Sequence, residues 1–307
     1  MELSNKNSNL HYFQSGQGDP LVFLHGFPDC AVNYKEQIEF FSANGFEVFV
    51  PLMPGYHEDD QELDTYQSLK IAEELSTFIN SVTDKPINLF GHDWGASAAY
   101  GIANLIPEKV AKLITASVPY GPALMSAFLL DGDQQRKSWY MFFFQLEIAE
   151  MAVEANDYEY IKRLWREWSP NWSDYESYAQ EAINVLSKPG VLTRALKYYR
   201  STFQSGLQSE RLNNLQMTFT DKFKMPALYL HGKNDGCVAP ELSAGMEDSF
   251  ETLKKLEIDD CGHFLHLEKY PQDLHSFTLL NPLLFNKTKT CLFFKRLDSI
   301  SNIELGE

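Results

Sequence analysis

The chain has 307 residues, 44% of them hydrophobic, and 26 Lys+Arg against 42 Asp+Glu give it a net charge of −16. That is enough apolar material for one large α/β domain with an insertion or for two small domains, and the negative charge argues against nucleic acid or anionic membrane surfaces as partners. The N-terminus from Met1 to His11 is polar and no later run reaches the roughly 18 apolar residues of a membrane span, which predicts no membrane insertion and a cytoplasmic location.

Leu21 to Leu24 reads as a short apolar strand. After His25-Gly26-Phe27-Pro28 comes a helix with Tyr34, Ile38 and Phe41 on one face, stopped by Asn44-Gly45. Phe46 to Val50 is the next strand, and Asp64 or Thr65 is expected to cap a helix carrying Leu69, Ala72, Leu75, Ile79 and Val82. Pro86 to Phe90 is a buried strand leading into Gly91-His92-Asp93-Trp94-Gly95, and the following Ala96, Ala98, Ala99, Ile102, Ala103 and Ile106 form a helix that packs through small side chains. Val110 to Ser117 is another strand.

From about Pro122 to about Leu212 the pattern is helical and dense in aromatics, with four of the five tryptophans. This predicts a helical cap at 122–211 inserted into a core of 1–121 and 212–285. Strands resume at Pro226 to Leu230 and Leu253 to Ile258, with a helix expected after Pro240. Pro282 would disrupt a final helix, and the tail 286–307 fits no defined element. Strand-helix alternation implies a mostly parallel sheet flanked by helices, with its sites at the carboxyl ends of the strands.

The segment 91–95 has the small-x-nucleophile-x-small form of a strand-to-helix elbow, with an aspartate where a serine is usual. A carboxylate is already ionised at neutral pH and needs no activating base. Attack on an acyl carbon would give a reactive mixed anhydride, whereas attack on a saturated carbon leaves an ordinary ester. An epoxide or alkyl halide is therefore the expected substrate, and an ester or peptide is disfavoured. Asp235 follows one later strand in His231-Gly232-Lys233-Asn234-Asp235, and His263 follows the next, giving the order nucleophile, acid, histidine.

With HGFPD at 25–29, GHDWGA at 91–96, HGKND at 231–235 and CGHFLHLE at 261–268, the chain resembles the α/β-hydrolase superfamily and, more narrowly, its epoxide hydrolase branch over roughly residues 10–280. The resemblance implies an α/β-hydrolase fold, with Asp93 as nucleophile, His263 as the base for water and Asp235 orienting the histidine. The segment Thr115 to Gly121 has no carboxylate to compete with Asp235. The resemblance also places the backbone N–H groups of Phe27 and Trp94 around the reacting carboxylate as oxyanion donors. Ring opening releases an alkoxide, for which such enzymes carry two cap tyrosines. Tyr140 lies four residues before Phe144-Gln145, as the first family tyrosine does, although Leu146-Glu147 stands where a proline often follows. The second tyrosine comes from Tyr198-Tyr199-Arg200; Leu192, Ala195, Leu196, Tyr199 and Phe203 form an apolar stripe that includes Tyr199 and leaves Tyr198 off it.

The reading is an epoxide hydrolase that turns a small apolar epoxide into a vicinal diol, as a monomer or homodimer, with no metal and no organic cofactor. A haloalkane or haloacid dehalogenase is the alternative. The former often has asparagine where this chain has Phe27, and fluoroacetate-type enzymes place arginines around the nucleophile, absent here through Pro107. A non-catalytic ligand-binding homologue would be expected to lose one of the three residues. Cys30, Cys237, Cys261 and Cys291 lack CxxC spacing, which argues against zinc or a disulfide framework and for small buried hydrophobes. His25, His92 and His266 are expected to serve loop and strand-end hydrogen bonding.

Overall fold

Among the described residues eight strands form one sheet in the order β1-β2-β4-β3-β5-β6-β7-β8. The computed structural model describes residues 2–6 and 8–268, so the expectations for Pro282 and the tail 286–307 lie outside the described residues. The strands are β1 Leu3–Ser4, β2 Tyr12–Gly16, β3 Asp19–Leu24, β4 Phe46–Pro51, β5 Ile87–His92, β6 Val110–Ala116, β7 Ala227–Gly232 and β8 Leu253–Ile258. From β4 to β8 every pairing is parallel, as the strand-helix alternation predicts. The antiparallel β1 and β2 extend the sheet at the β4 side and have no counterpart in the sequence reading.

β5 is buried at all six positions, as expected of a central parallel strand covered on both faces. Helices α1 (Lys35–Ala43), α2 (Ser68–Val82) and α3 (Trp94–Leu105) flank these strands. α2 and α3 approach so closely that a Cβ on Gly101 would meet the Ala72 Cβ at 2.5 Å, which accounts for the small side chains along α3. Two helix expectations need correction. α2 begins at Ser68 and neither Asp64 nor Thr65 caps it, because the Thr65 hydroxyl donates to the Leu207 carbonyl at 2.7 Å and accepts from the Gln67 N–H. After Pro240 there are two short 3₁₀ turns, Pro240–Ser243 and Met246–Ser249, separated by Gly245 at φ 78°.

Between β6 and β7 the chain is helical: α4 Ala123–Leu130, α5 Gly132–Lys137, α6 Trp139–Phe143, α7 Ala149–Trp168, α8 Glu176–Leu186, α9 Val191–Phe203 and α10 Glu210–Gln216. α7 is broken at Ala155–Tyr158, where Asn156, Asp157 and Tyr158 take positive φ. Its second half holds the segment to the strand ends. The Trp165 ring stacks on Phe264 at 3.7 Å and its indole N–H donates to the Pro28 carbonyl at 3.1 Å. On α9, Arg194 donates to the carbonyls of Gly55 and His57, and Tyr198 donates to that of Pro54. The short α11 (Leu265–Glu268) follows β8. No helix among the described residues is long and apolar enough to cross a membrane.

Candidate active site

Asp93 stands between β5 and α3 at φ 53°, ψ −120°, a positive-φ conformation that costs a non-glycine residue about 1–3 kcal/mol. The surroundings enforce it. A Cβ on Gly91 would fall 2.2 Å from the Gly95 carbonyl oxygen, and one on Gly95 would fall 2.2 Å from the Leu24 carbonyl oxygen. Only glycine at both positions lets β5 turn directly into α3 against β3, and that sharp turn lifts the Asp93 side chain above the sheet. The α3 N-terminus beneath it favours a negative charge.

The Asp93 Oδ1 accepts the Phe27 N–H at 2.7 Å. Gly26 makes room for this contact, since a Cβ there would lie 2.3 Å from the same oxygen. Trp94 is the first residue of α3, and its ring meets Tyr198 and Tyr199 edge-on at 5.4 and 5.2 Å.

His263 approaches Asp93 from the loop after β8, with Nε2 3.6 Å from Oδ2, a charge contact too long for a hydrogen bond. Its Nδ1 bonds Asp235 Oδ2 at 2.9 Å. The imidazole is therefore held between two carboxylates from distant parts of the sequence. Its backbone is fixed too: His263 N–H donates to the Trp168 carbonyl, and its own carbonyl accepts from His92 Nε2 at 2.9 Å and from the Ser117 hydroxyl at 2.7 Å.

Asp235 is more heavily bonded than the sequence indicates. Oδ1 accepts the N–H groups of Cys237 (2.7 Å) and Val238 (2.9 Å), while Oδ2 is shared by His263 and by His231 Nε2 at 3.0 Å. His231 in turn contacts the Tyr229 hydroxyl through Nδ1 at 2.5 Å. Burial alone would raise the Asp235 pKa, but the charge of His263 and the two imidazole hydrogen bonds overcome it and hold the carboxyl well below the ordinary range. For His263, burial pushes down, and the charge of Asp235, then that of Cys237, with smaller contributions from the Asp235 and Asp93 contacts, outweigh it, so the pKa lies well above that of an ordinary histidine.

A cavity of about 510 Å³ opens over Asp93, lined by Trp94, Tyr140, Tyr199, Met141, Phe128 and Cys237 among others. Tyr140 and Tyr199 are both buried in its wall, with ring centroids 5.7 Å apart. Burial raises both phenol pKa values well above the ordinary tyrosine value, so both remain proton donors. The Tyr199 hydroxyl has no hydrogen-bond partner among the described residues; the nearby Trp94 tempers its pKa without reaching bonding geometry. The Tyr140 hydroxyl rests 3.3 Å from Cys237 Sγ. Tyr198 is as buried as Tyr199, contrary to a strict reading of the stripe, but its hydroxyl is spent on the Pro54 carbonyl at 2.7 Å. The structure thus brings Asp93, His263, Asp235, Tyr140, Tyr199, Phe27 and Trp94 to one place, and adds His231 and Cys237. His231 lies on β7, the strand that leads to Asp235, and Cys237 lies two residues beyond that aspartate; this nearness is the one sequence signal that could have found them.

His25 and His266 make structural bonds. His25 pairs through Nδ1 with the Gly26 carbonyl and accepts the Met53 N–H, and His266 Nε2 bonds Asp29 Oδ2 at 3.1 Å. Burial raises the Asp29 carboxyl to about 6.

A family model described as the alpha/beta hydrolase fold matches residues 19–270. Among known proteins, the chain is 28% identical to "Epoxide hydrolase 2" of Caenorhabditis elegans over 69% of this chain and 62% of that protein, so it spans less than two thirds of that relative. It is 27% identical to "AB hydrolase superfamily protein YfhM" of Bacillus subtilis over 85% of this chain and 90% of that one. The crystal structure of Bacillus megaterium epoxide hydrolase with an inhibitor superposes with a TM-score of 0.75 at 24% identity, covering 91% of this chain and 98% of the other. The relatives and structural neighbours that carry the epoxide hydrolase name are hydrolases acting on ether bonds.

Proposed function

The chain belongs to the alpha/beta hydrolase fold family, and from that premise we propose that it is an epoxide hydrolase converting an apolar epoxide and water into a vicinal diol. The observation that carries this reading is a carboxylate, not a hydroxyl, on the elbow, with one oxygen on the Phe27 N–H and the other facing His263. The names of the relatives support it.

The substrate sits in the cavity with its oxygen toward Tyr140 and Tyr199 and a ring carbon toward Asp93. Oδ2 attacks that carbon, since Oδ1 is held by Phe27. The C–O bond breaks, and the alkoxide takes a hydrogen bond or proton from the tyrosines. The product of this step is an alkyl ester on Asp93. In the free protein His263 faces two carboxylates, which favours its charged form. Esterification removes the charge of Asp93, the His263 pKa falls, and the neutral imidazole is available to deprotonate a water. Hydroxide adds to the ester carbonyl, the Phe27 N–H receives the developing oxyanion, and the Trp94 N–H is the second donor at the helix start. Collapse expels the product alkoxide, which takes the proton that the His263 imidazolium gained from water, and the carboxylic acid left on Asp93 gives its proton back to the tyrosine pair, so the diol leaves and the Asp93 carboxylate is restored.

In this reading the helices between β6 and β7 are a cap that supplies the tyrosines, and Asp235 holds the His263 ring. The cavity's aromatic and aliphatic lining favours an apolar substrate. Purified protein assayed on a panel of epoxides and haloalkanes tests the function: diol formation is expected, and halide release without diol formation would replace this reading with a dehalogenase.

A further inference from the structure

Cys237 is a buried thiol on the wall of the reaction cavity that the hydrolytic steps do not use. Its Sγ, an Asp93 carboxylate oxygen and a His263 nitrogen all lie within 4.8 Å of one another. We propose that these three side chains form an inhibitory site for a thiophilic divalent cation, zinc foremost, with the fourth position open to the cavity.

The geometry is close to what zinc requires. Tetrahedral bonds of about 2.0–2.2 Å to nitrogen and oxygen put those two ligand atoms about 3.4 Å apart, and His263 Nε2 lies 3.6 Å from Asp93 Oδ2. That nitrogen is fully buried and has no hydrogen-bond partner among the described residues, while its opposite nitrogen is fixed on Asp235, the carboxylate-histidine arrangement that orients metal-bound imidazoles. To ligate as well, the sulfur, within 4.8 Å of the other two ligand atoms, closes by about an ångström on the scale of zinc–sulfur bonds and gives up its contact with the Tyr140 hydroxyl. A thiolate, an imidazole and a carboxylate select zinc and similar ions over magnesium or calcium, which take larger all-oxygen shells. The thiol proton and the proton of the His263 imidazolium leave as the ion arrives, and the thiolate and carboxylate then neutralise its charge in a site closed to most solvent.

Among the described residues two other clusters come within ligating distance, and neither has this combination. Neither His11, His57 and Asp59 nor Asp29, His92 and His266 includes a thiol, and none of the six lines the cavity. The lack of CxxC spacing is no objection, because the ligands come from positions 93, 237 and 263 and meet only in the fold.

Ion binding stands apart from the hydrolase reading; the inhibition it produces rests on that reading, since the ion would engage the proposed nucleophile and base together. The test is therefore made first without turnover. The full-length protein is titrated with Zn²⁺ by calorimetry and with Co²⁺ by absorption spectroscopy. One ion per chain and a near-ultraviolet thiolate-to-cobalt charge-transfer band are expected. Cys237→Ser should abolish the band and weaken Zn²⁺ binding by at least about tenfold, the low end of what losing even an outer partner of a metal ligand costs. His263→Gln should weaken it comparably, whereas Cys261→Ser and Cys291→Ser should keep the band. Circular dichroism establishes that each variant is folded. Zinc affinity unchanged by Cys237→Ser, or a band that persists in it, would overturn the proposal, as would the absence of binding at millimolar Zn²⁺. Where epoxide turnover is present, Zn²⁺ should inhibit it reversibly with a chelator, and much less in Cys237→Ser.

Discussion

His263 Nε2 points at Asp93 Oδ2 across 3.6 Å and, though fully buried, has no hydrogen-bond partner among the described residues. An unpartnered nitrogen in the interior costs about 1–3 kcal/mol, and its position next to a strained carboxylate fits a base kept clear for a water that attacks an ester on Asp93. In the proposed mechanism this pairing separates the two chemical steps, because Asp93 alone would make the ester while His263 would be needed to remove it.

Replacing His263 with Gln should therefore slow ester hydrolysis far more than ester formation. Intact-protein mass spectrometry after mixing with an epoxide should show the mass of the substrate added to the chain, and peptide mapping should place it on Asp93. An adduct of the same mass on Asp93→Ala that turns over would place the nucleophile elsewhere.

The paired tyrosines should act before hydrolysis. Each Tyr→Phe change at 140 or 199 should lower the single-turnover rate of ester formation about 10- to 100-fold, the worth of one hydrogen bond to a developing charge. The double variant should retain almost none. Tyr198→Phe is the control: it loses the bond to the Pro54 carbonyl and about 1 kcal/mol of stability by thermal unfolding, with little change in that rate. Full activity in the Tyr140/Tyr199 double variant would remove the donors from the mechanism.

The electrostatics give a pH prediction with a definite sign. His263 in the free protein has a raised pKa, so its ion pairing stabilises the fold fully below the unfolded value near 6.5 and that stability is lost as pH rises through the folded value. The depressed Asp235 works at the other end, stabilising above about 3.9 and losing its effect as pH falls through its folded pKa. Once Asp93 is an ester, one of the two carboxylates beside His263 is neutral. The rate of ester hydrolysis should then rise with pH through a pKa lower than the one histidine NMR gives for His263 in the free protein. An equal or higher kinetic pKa would contradict this coupling.

Much of this arrangement is legible in the chain because local patterns carry it. Apolar runs give the parallel strands, and β8 falls on Leu253–Ile258 as read. Glycines two residues either side of Asp93 mark the elbow, since only a strand-to-helix turn in close contact with β3 demands both. What escapes are features decided by tertiary contacts. Thr65 has the side chain of a helix cap, yet the Leu207 carbonyl claims its hydroxyl and α2 starts later. Pro240 begins a helical turn that does not continue past Gly245. The antiparallel β2 is set by pairing with β4 rather than by its own pattern. His231 stands in the sequence only as part of the segment that leads to Asp235, and the fold turns its Nε2 onto that aspartate; Cys237 reads as a small buried hydrophobe until the cavity is seen beside it.

Oxygen tracing tests the central claim, that Asp93 and not water makes the first bond to the substrate. In a single turnover in heavy-oxygen water with enzyme in excess, the oxygen added to the diol should be light, because it comes from the Asp93 carboxylate. Heavy oxygen should remain on Asp93 in the peptide that contains it and reach the diol only in later turnovers. Heavy oxygen in the first-turnover diol, with none on Asp93, would mean that water opens the ring directly and that the aspartate is not the nucleophile.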